Sequence, residues 1–209
     1  KSSSKRNSLL QKMSKKMKKK LSIYSTLIIG LSIFISMAMS DTYKEPEFNL
    51  INKDGNIEIR QYSKYVIAKT SISKKNSSLD NSMFSVLAGY IFGGNNQGQS
   101  IPMTTPVITK ESDSSYDMIF FMLDSNSPSD LPIPNSSKVT LETFTMGKTI
   151  SIRFGMWATE ERILKYKSNL DKYIKDEGIQ VKSNIMVAQY NSPWTMPPFR
   201  RNELIYQIY

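Results

Sequence analysis

The sequence predicts an α+β domain: a twisted antiparallel β-barrel flanked by two α-helices. Three observations carry this. Short segments alternate apolar and polar residues, the period of half-buried strands. Two longer segments repeat their apolar residues at helical spacing instead. The order strand, strand, helix, strand, strand occurs twice, so the domain reads as two pseudo-repeats. Two such units bury each other's sheet faces in one core and leave the helices outside.

In the first repeat, Gly55 opens a segment in which Ile57 and Ile59 alternate with Glu58 and Arg60. Val66 and Ala68 then alternate with Ile67 and Lys69, after a bend near Ser63-Lys64. Residues 41–49 read as a polar lead-in. From Leu79 to Ile91 the period lengthens, with Phe84, Leu87, Ala88 and Ile91 on one face, and Gly93-Gly94 stops the helix. Val107–Lys110 and Tyr116–Leu123 form a strand pair, and Asp124–Ser137, with three prolines, is a linker.

In the second repeat, strands Val139–Phe144 and Thr149–Met156 meet at a turn, Met146-Gly147. Thr159 caps a helix with Glu160 and Glu161 in its first turn, where carboxylates suit the dipole. Ile163, Tyr166, Leu170, Tyr173 and Ile174 are its apolar face, and Gly178 ends it. Strand Asn184–Tyr190, a Pro-rich loop over Ser192–Pro198 and a last strand, Asn202–Tyr209, complete the chain.

Charge and composition narrow the function. The net charge of +10 comes mostly from nine Lys and Arg among residues 1–20, where there is no acid. The remaining 19 basic residues face all 18 acidic ones. A domain that neutralises phosphates needs clustered cations, so no nucleic-acid partner is expected. The chain has no Cys and no His. That removes disulfides, thiolate and imidazole ligands, and Ser-His or Cys-His catalysis. No paired carboxylates stand at a motif, so no catalytic residues, no metal site and no enzyme are expected.

Residues 1–40 read as a signal peptide or signal anchor, and 41–209 as the folded domain. The basic run precedes 19 uncharged residues, Leu21–Met39, and Ala38-Met39-Ser40 offers a small-x-small cleavage site. The segment is just long enough to span a bilayer, although six hydroxylated residues weaken it as a permanent anchor. The positive-inside rule sends the domain across. The expectation is an exported protein, periplasmic or secreted, whose membrane contact is through this leader if it is uncleaved.

Several motifs were weighed against plain structural roles. Gly93 to Ser100 approaches a phosphate loop, but Gln99 stands where the lysine should, and Pro102 and Pro106 forbid the helix that should follow. A tight turn using glycine's positive φ is the better reading. Arg200-Arg201-Asn202-Glu203 reads as an Arg–Glu pair at the mouth of the last strand. On the first helix, Ser82, Ser85, Val86 and Gly89 form a face of small residues. A glycine inside a helix costs about 1 kcal/mol relative to alanine. Gly89 therefore suggests a close neighbour, either the Trp194–Phe199 loop or a flat ligand. Asn76-Ser77-Ser78 and Asn135-Ser136-Ser137 are glycosylation sequons.

Four segments in order resemble the SOUL haem-binding family. They are Gly55–Tyr62, Leu87–Asn95, Ile101–Val107, and Tyr190–Trp194 leading to Arg200–Glu203. The resemblance implies a twisted β-barrel with two helices, in accord with the repeat. It also implies binding of haem or a related tetrapyrrole in a shallow apolar cleft beside the first helix. On that analogy the ligand lies against Val86, Gly89 and Tyr90, with Trp194 and Met196 of the Pro-rich loop opposite. The chain departs from the family pattern in having no His for an axial ligand and no basic residue from Ser82 to Ile91. Haem would then be held by apolar contact and stacking. The alternative is a binding module for another apolar small molecule, with no haem function.

Overall fold

The computed structural model describes residues 43–76 and 82–209. The expected leader, residues 1–40, lies outside the described residues, as do residues 79–81 of the first helix. No helix among the described residues is long and apolar enough to cross a membrane.

Nine strands and two α-helices form the domain. The strands are β1 (Phe48–Asp54), β2 (Ile57–Tyr62), β3 (Lys64–Ser73), β4 (Val107–Glu111), β5 (Ser115–Phe121), β6 (Thr140–Thr145), β7 (Lys148–Phe154), β8 (Met186–Gln189) and β9 (Asn202–Gln207). Helix α1 spans Ser82–Ile91 and α2 spans Glu160–Asp176. All strand pairs are antiparallel, in the order β1-β2-β7-β9-β8-β4-β5-β3-β6. The sheet curls into a half-barrel whose edges are β1 and β6.

That order shows the pseudo-repeat directly. If β2, β3, β4 and β5 are matched to β6, β7, β8 and β9, the sheet reads the same from either side of the β8–β4 pair. The first strand of each repeat crosses to the other, because β2 pairs with β7 and β3 with β6. Neither repeat can complete its sheet alone, so the two form one cooperative unit.

Side-chain alternation sorts the core into three layers. The concave face buries Tyr62, Ile67, Ile108, Phe121, Met186 and Ile205, among others. The neighbouring positions point the other way. Ile150, Ile152, Phe154, Leu204 and Tyr206 meet Leu170 and Ile174 of α2. Val66, Ala68, Phe120 and Met122 meet Leu87, Tyr90 and Ile91 of α1. Thr159 caps α2 as its sequence predicts, its side chain accepting from the Arg162 N–H.

β1 was not expected. Its seven residues are all exposed, and a bulge between Leu50 and Asn52 breaks the pairing with β2. An edge strand with no buried face leaves no period-2 signal to read.

The Gly93–Ser100 segment is a turn. Gly93 and Gly98 have φ of 103° and 62°. The buried Asn95 side chain ties it internally, donating to Tyr90 O and Gln99 O and accepting from the N–H groups of Gln97 and Gln99. Gly94 N–H donates to Gly89 O at 2.8 Å and closes the end of α1.

Candidate functional site

The expected cleft is best judged residue by residue. Helix α1 is turned by about one position from the face the sequence suggests. Met83, Leu87, Tyr90 and Ile91 are buried, whereas Phe84 stays 39% exposed and meets Phe120 edge-on, centroids 5.4 Å apart. Tyr90 is thus a core residue, 2% exposed, whose hydroxyl donates to Pro132 O at 2.9 Å. Its ring is spent on packing and its proton on a backbone acceptor. It does not line an open cleft in this structure.

Val86 is half buried against the α1 layer. Gly89 is exposed, and a Cβ placed there would meet nothing within 4 Å. Among the described residues, no neighbouring segment therefore explains this glycine. Gly89→Ala is expected to stabilise the protein by about 0.5–1 kcal/mol, since alanine costs the helix less backbone entropy. Urea unfolding monitored by circular dichroism checks the sign. At Gly94 the outcome reverses, because a Cβ would lie 2.5 Å from Gly89 O.

Trp194 and Met196 lie on the Pro-rich loop, and the residues that follow them, Pro197 to Asn202, are bonded to the β7–α2 connection. Met156 N–H donates to Pro197 O at 3.1 Å, and Asn202 Nδ2 donates to Met156 O at 2.9 Å. The Arg200 guanidinium lies over the Trp157 ring, 3.5 Å from its centroid, and its Nη2 donates to the carbonyls of Ser192 and Pro193. Two loops, residues 155–157 and 192–200, are in this way tied into one surface.

That surface is apolar and open. Trp194 is 92% exposed, and Met156, Trp157, Met196 and Phe199 are between 41% and 49% exposed. The chain has two tryptophans, and both are here. Single exposed apolar residues are ordinary on proteins, but five on adjoining loops form a patch of the kind that binds something. Pro193, Pro197 and Pro198 stiffen the loop, so little entropy is lost when a ligand settles on it. Met156 has φ of 69°, a left-handed conformation rare outside glycine. Arg200 Nε, beneath this surface, is buried without an acceptor. Burial lowers the Arg200 pKa.

A second constellation lies on the concave face. Arg60 sits between two carboxylates: Nε and Nη2 donate to Glu58 Oε2 at 2.8 and 2.6 Å, and Nη1 donates to Glu203 Oε2 at 2.6 Å. Glu203 is wholly buried and also accepts from Tyr190 Oη at 3.0 Å and Arg201 Nε at 3.0 Å. Burial alone would raise the Glu203 carboxyl, but the hydrogen bonds and charges of Arg60 and Arg201 hold it below the usual carboxylate range. Burial pushes the Tyr62 phenol up to about 12 and Tyr190 well above its ordinary value. Tyr190 donates to Glu203, whereas Tyr62 Oη accepts from Arg60 Nη1 at 3.1 Å. The Arg201–Glu203 pair expected from sequence is present, and Arg60 is the partner the sequence did not reveal.

Comparison with known proteins gives the following. A model of the SOUL heme-binding protein family matches residues 43–207. No curated protein matches the chain. Among solved structures, a hydrolase from Listeria innocua aligns at 10% identity and a TM-score of 0.53, over 76% of this chain and 94% of that one. An uncharacterized conserved protein from Listeria innocua aligns at 10% identity and 0.55, over 74% and 92%. The EcmrR C-terminal domain aligns at 6% identity and 0.54, over 73% and 96%. At these identities the structures share the fold alone. The family match spans nearly the whole described domain, and on it the chain belongs to the SOUL heme-binding protein family.

Proposed function

We propose that this domain binds haem or a related tetrapyrrole on the apolar surface of the 155–157 and 192–200 loops, as a carrier or buffer outside the cytoplasm. The observation that carries the reading is the exposed cluster of Met156, Trp157, Trp194, Met196 and Phe199. It offers a flat apolar ring two indoles to stack on. The surface also fits the periphery and centre of such a ligand. Arg200 has an unsatisfied N–H beneath it for a carboxylate. The two thioethers are soft donors in a chain that has no His or Cys.

The open space at Gly89, beside Val86 on α1, makes the helix the alternative location for the ligand, distinct from the loop surface. The near-neutral charge balance after residue 20 supports a small ligand over nucleic acid. The uncharged segment 21–39 supports export.

The test is a titration of the full chain with haemin, following the Soret band, beside one with iron-free protoporphyrin IX. A site that recognises the ring by stacking takes both ligands saturably at about one equivalent, with affinities within roughly tenfold of each other. Saturable uptake of neither ligand by folded protein would sink the proposal.

A further inference from the structure

We infer that the concave face of the half-barrel is a second binding site, for a small aromatic carboxylate, and that the protein's own Glu45 and Phe48 occupy it. This inference is independent of the loop surface.

The segment preceding β1, together with Phe48 at the start of β1, crosses the mouth of the half-barrel as a strap. Its residues Glu45, Pro46 and Phe48 face Tyr62, Pro106, Phe121, Met146 and Tyr190. Only about 10 Å³ remains between them, room for a single water. The strap fills the site with two chemical groups. The Glu45 carboxylate receives both of its bonds from Arg201 Nη1, at 3.0 and 2.9 Å. The Phe48 ring lies under the Arg60 guanidinium, 4.4 Å from centroid to Cζ, and 5.3 Å from the Tyr62 ring. A carboxylate on one guanidinium and an aromatic ring on the next is what a small aromatic acid would supply.

The charges point the same way. Lys53, Glu58, Arg60, Glu203, Arg201 and Glu45 form an unbroken alternating series across the concave face. Its inner members, Arg60 and Glu203, satisfy each other within the sheet, and Tyr190 donates to Glu203 beside them. Arg201 differs, because its Nη1 turns to an acceptor that the strap supplies. Removing Glu45 would leave Arg201 Nη1, its guanidinium stacked on the Tyr190 ring and its other nitrogens held by Glu203, open to an external carboxylate.

The strap is held by exchangeable contacts. The Glu45–Arg201 pair is partly exposed, as is the ion pair between Lys44 and Asp124. Partly exposed pairs of this kind contribute little. Bonds to the backbone from Thr105 N–H to Lys44 O and from Tyr65 Oη to Glu47 O, and the pairing of Phe48 with Tyr62 at the start of β1, fix the rest. A ligand that matches the groups of Glu45 and Phe48 can take their place without unpairing the buried Glu203.

The experiment titrates the full chain with 2-naphthoate and with the neutral 2-naphthamide by isothermal calorimetry. Glu45→Gln should raise the affinity for naphthoate roughly fivefold by removing the internal competitor. Adding Phe48→Ala should raise it further, and neither change should help naphthamide. Arg201→Gln should abolish naphthoate binding. Should that variant fail to fold, Arg201→Lys keeps the charge but cannot hold Glu203 and present Nη1 to a ligand at once, and should still weaken naphthoate. Trp157→Ala and Trp194→Ala should leave naphthoate binding unchanged, which separates this site from the loop surface. Equal naphthoate affinity in wild type, Glu45→Gln and the double variant, or no binding to any of them, overturns the inference. So does an equal gain for naphthamide, or loss of the gain on removing the loop tryptophans.

Discussion

Arg60→Met is expected to destabilise the protein by about 3–5 kcal/mol, the range found when one partner of a buried ion pair is removed. Arg60 is 3% exposed and Glu203 is fully buried, so the carboxylate left behind cannot recover its lost partner from water. Arg201 and Tyr190 still reach it, but Arg60 provides its shortest contact. Chemical denaturation of the two proteins measures the loss. The double variant Arg60→Met with Glu203→Leu should recover most of it, because the stranded charge is gone. A single variant within about 1 kcal/mol of wild type would show that the pair does not hold the concave face together.

The same pair sets the acid limit. Glu203 and Glu58 have folded pKa values below the ordinary 4.5. For Glu58 too, desolvation opposes the shift, and its bonds from Lys53 and Arg60 outweigh it. A carboxyl lowered on folding binds its proton more readily in the unfolded state. Its contribution is therefore fully present above the unfolded value and is lost as pH falls through the folded one. Stability should decline as pH drops below about 4.5. In Arg60→Met that decline should be shallower, since the partner that lowers both carboxyls is missing. Unfolding midpoints measured from pH 6 to pH 3 report the difference.

Phe120→Ala is expected to cost about 3–5 kcal/mol, while Phe84→Ala should cost under about 1.5 kcal/mol. Phe120 is buried at the centre of the layer between α1 and the sheet. Truncating it leaves a cavity lined by Leu87, Tyr90 and their neighbours. Phe84 sits at the margin of the same layer, so solvent fills its place. Melting temperatures for the two variants decide between this arrangement and the one the sequence suggests, in which Phe84 is the core residue.

The misplaced face of α1 shows where the sequence stops being informative. Residues 84, 87, 88 and 91 and residues 83, 87, 90 and 91 both fit a helical stripe, and they share Leu87 and Ile91. Phe84 looks the stronger anchor, and Tyr90 looks too polar for the core. What decides is Pro132 O, in a linker far along the chain, which takes the Tyr90 proton. The doubled strand and helix order, by contrast, was legible because strand segments alternate apolar and polar residues while the helices repeat theirs at helical spacing. Its crossover, with β2 on β7 and β3 on β6, was not, since period alone does not say which strand pairs with which.

The proposed surface was half legible. Trp194 and Met196 were named through the family resemblance, which sets the Pro-rich loop opposite the first helix. Met156 was read as a strand end, and Trp157 was given no role. The available signal was that the only two tryptophans both lie in loops. Arg60 and Glu203, 143 residues apart, carry no sequence sign that they meet.

The most direct test of the account is where the ligand sits. Haemin titrations of the full chain, read at the Soret band, should compare wild type with Trp157→Ala/Trp194→Ala and with Gly89→Trp. The account predicts that loss of both indoles weakens binding by roughly tenfold or more, while Gly89→Trp, on the outward side of α1, leaves it within about twofold. Wild-type affinity in the double variant, with binding lost in Gly89→Trp, would contradict the loop surface and place the ligand along the helix instead.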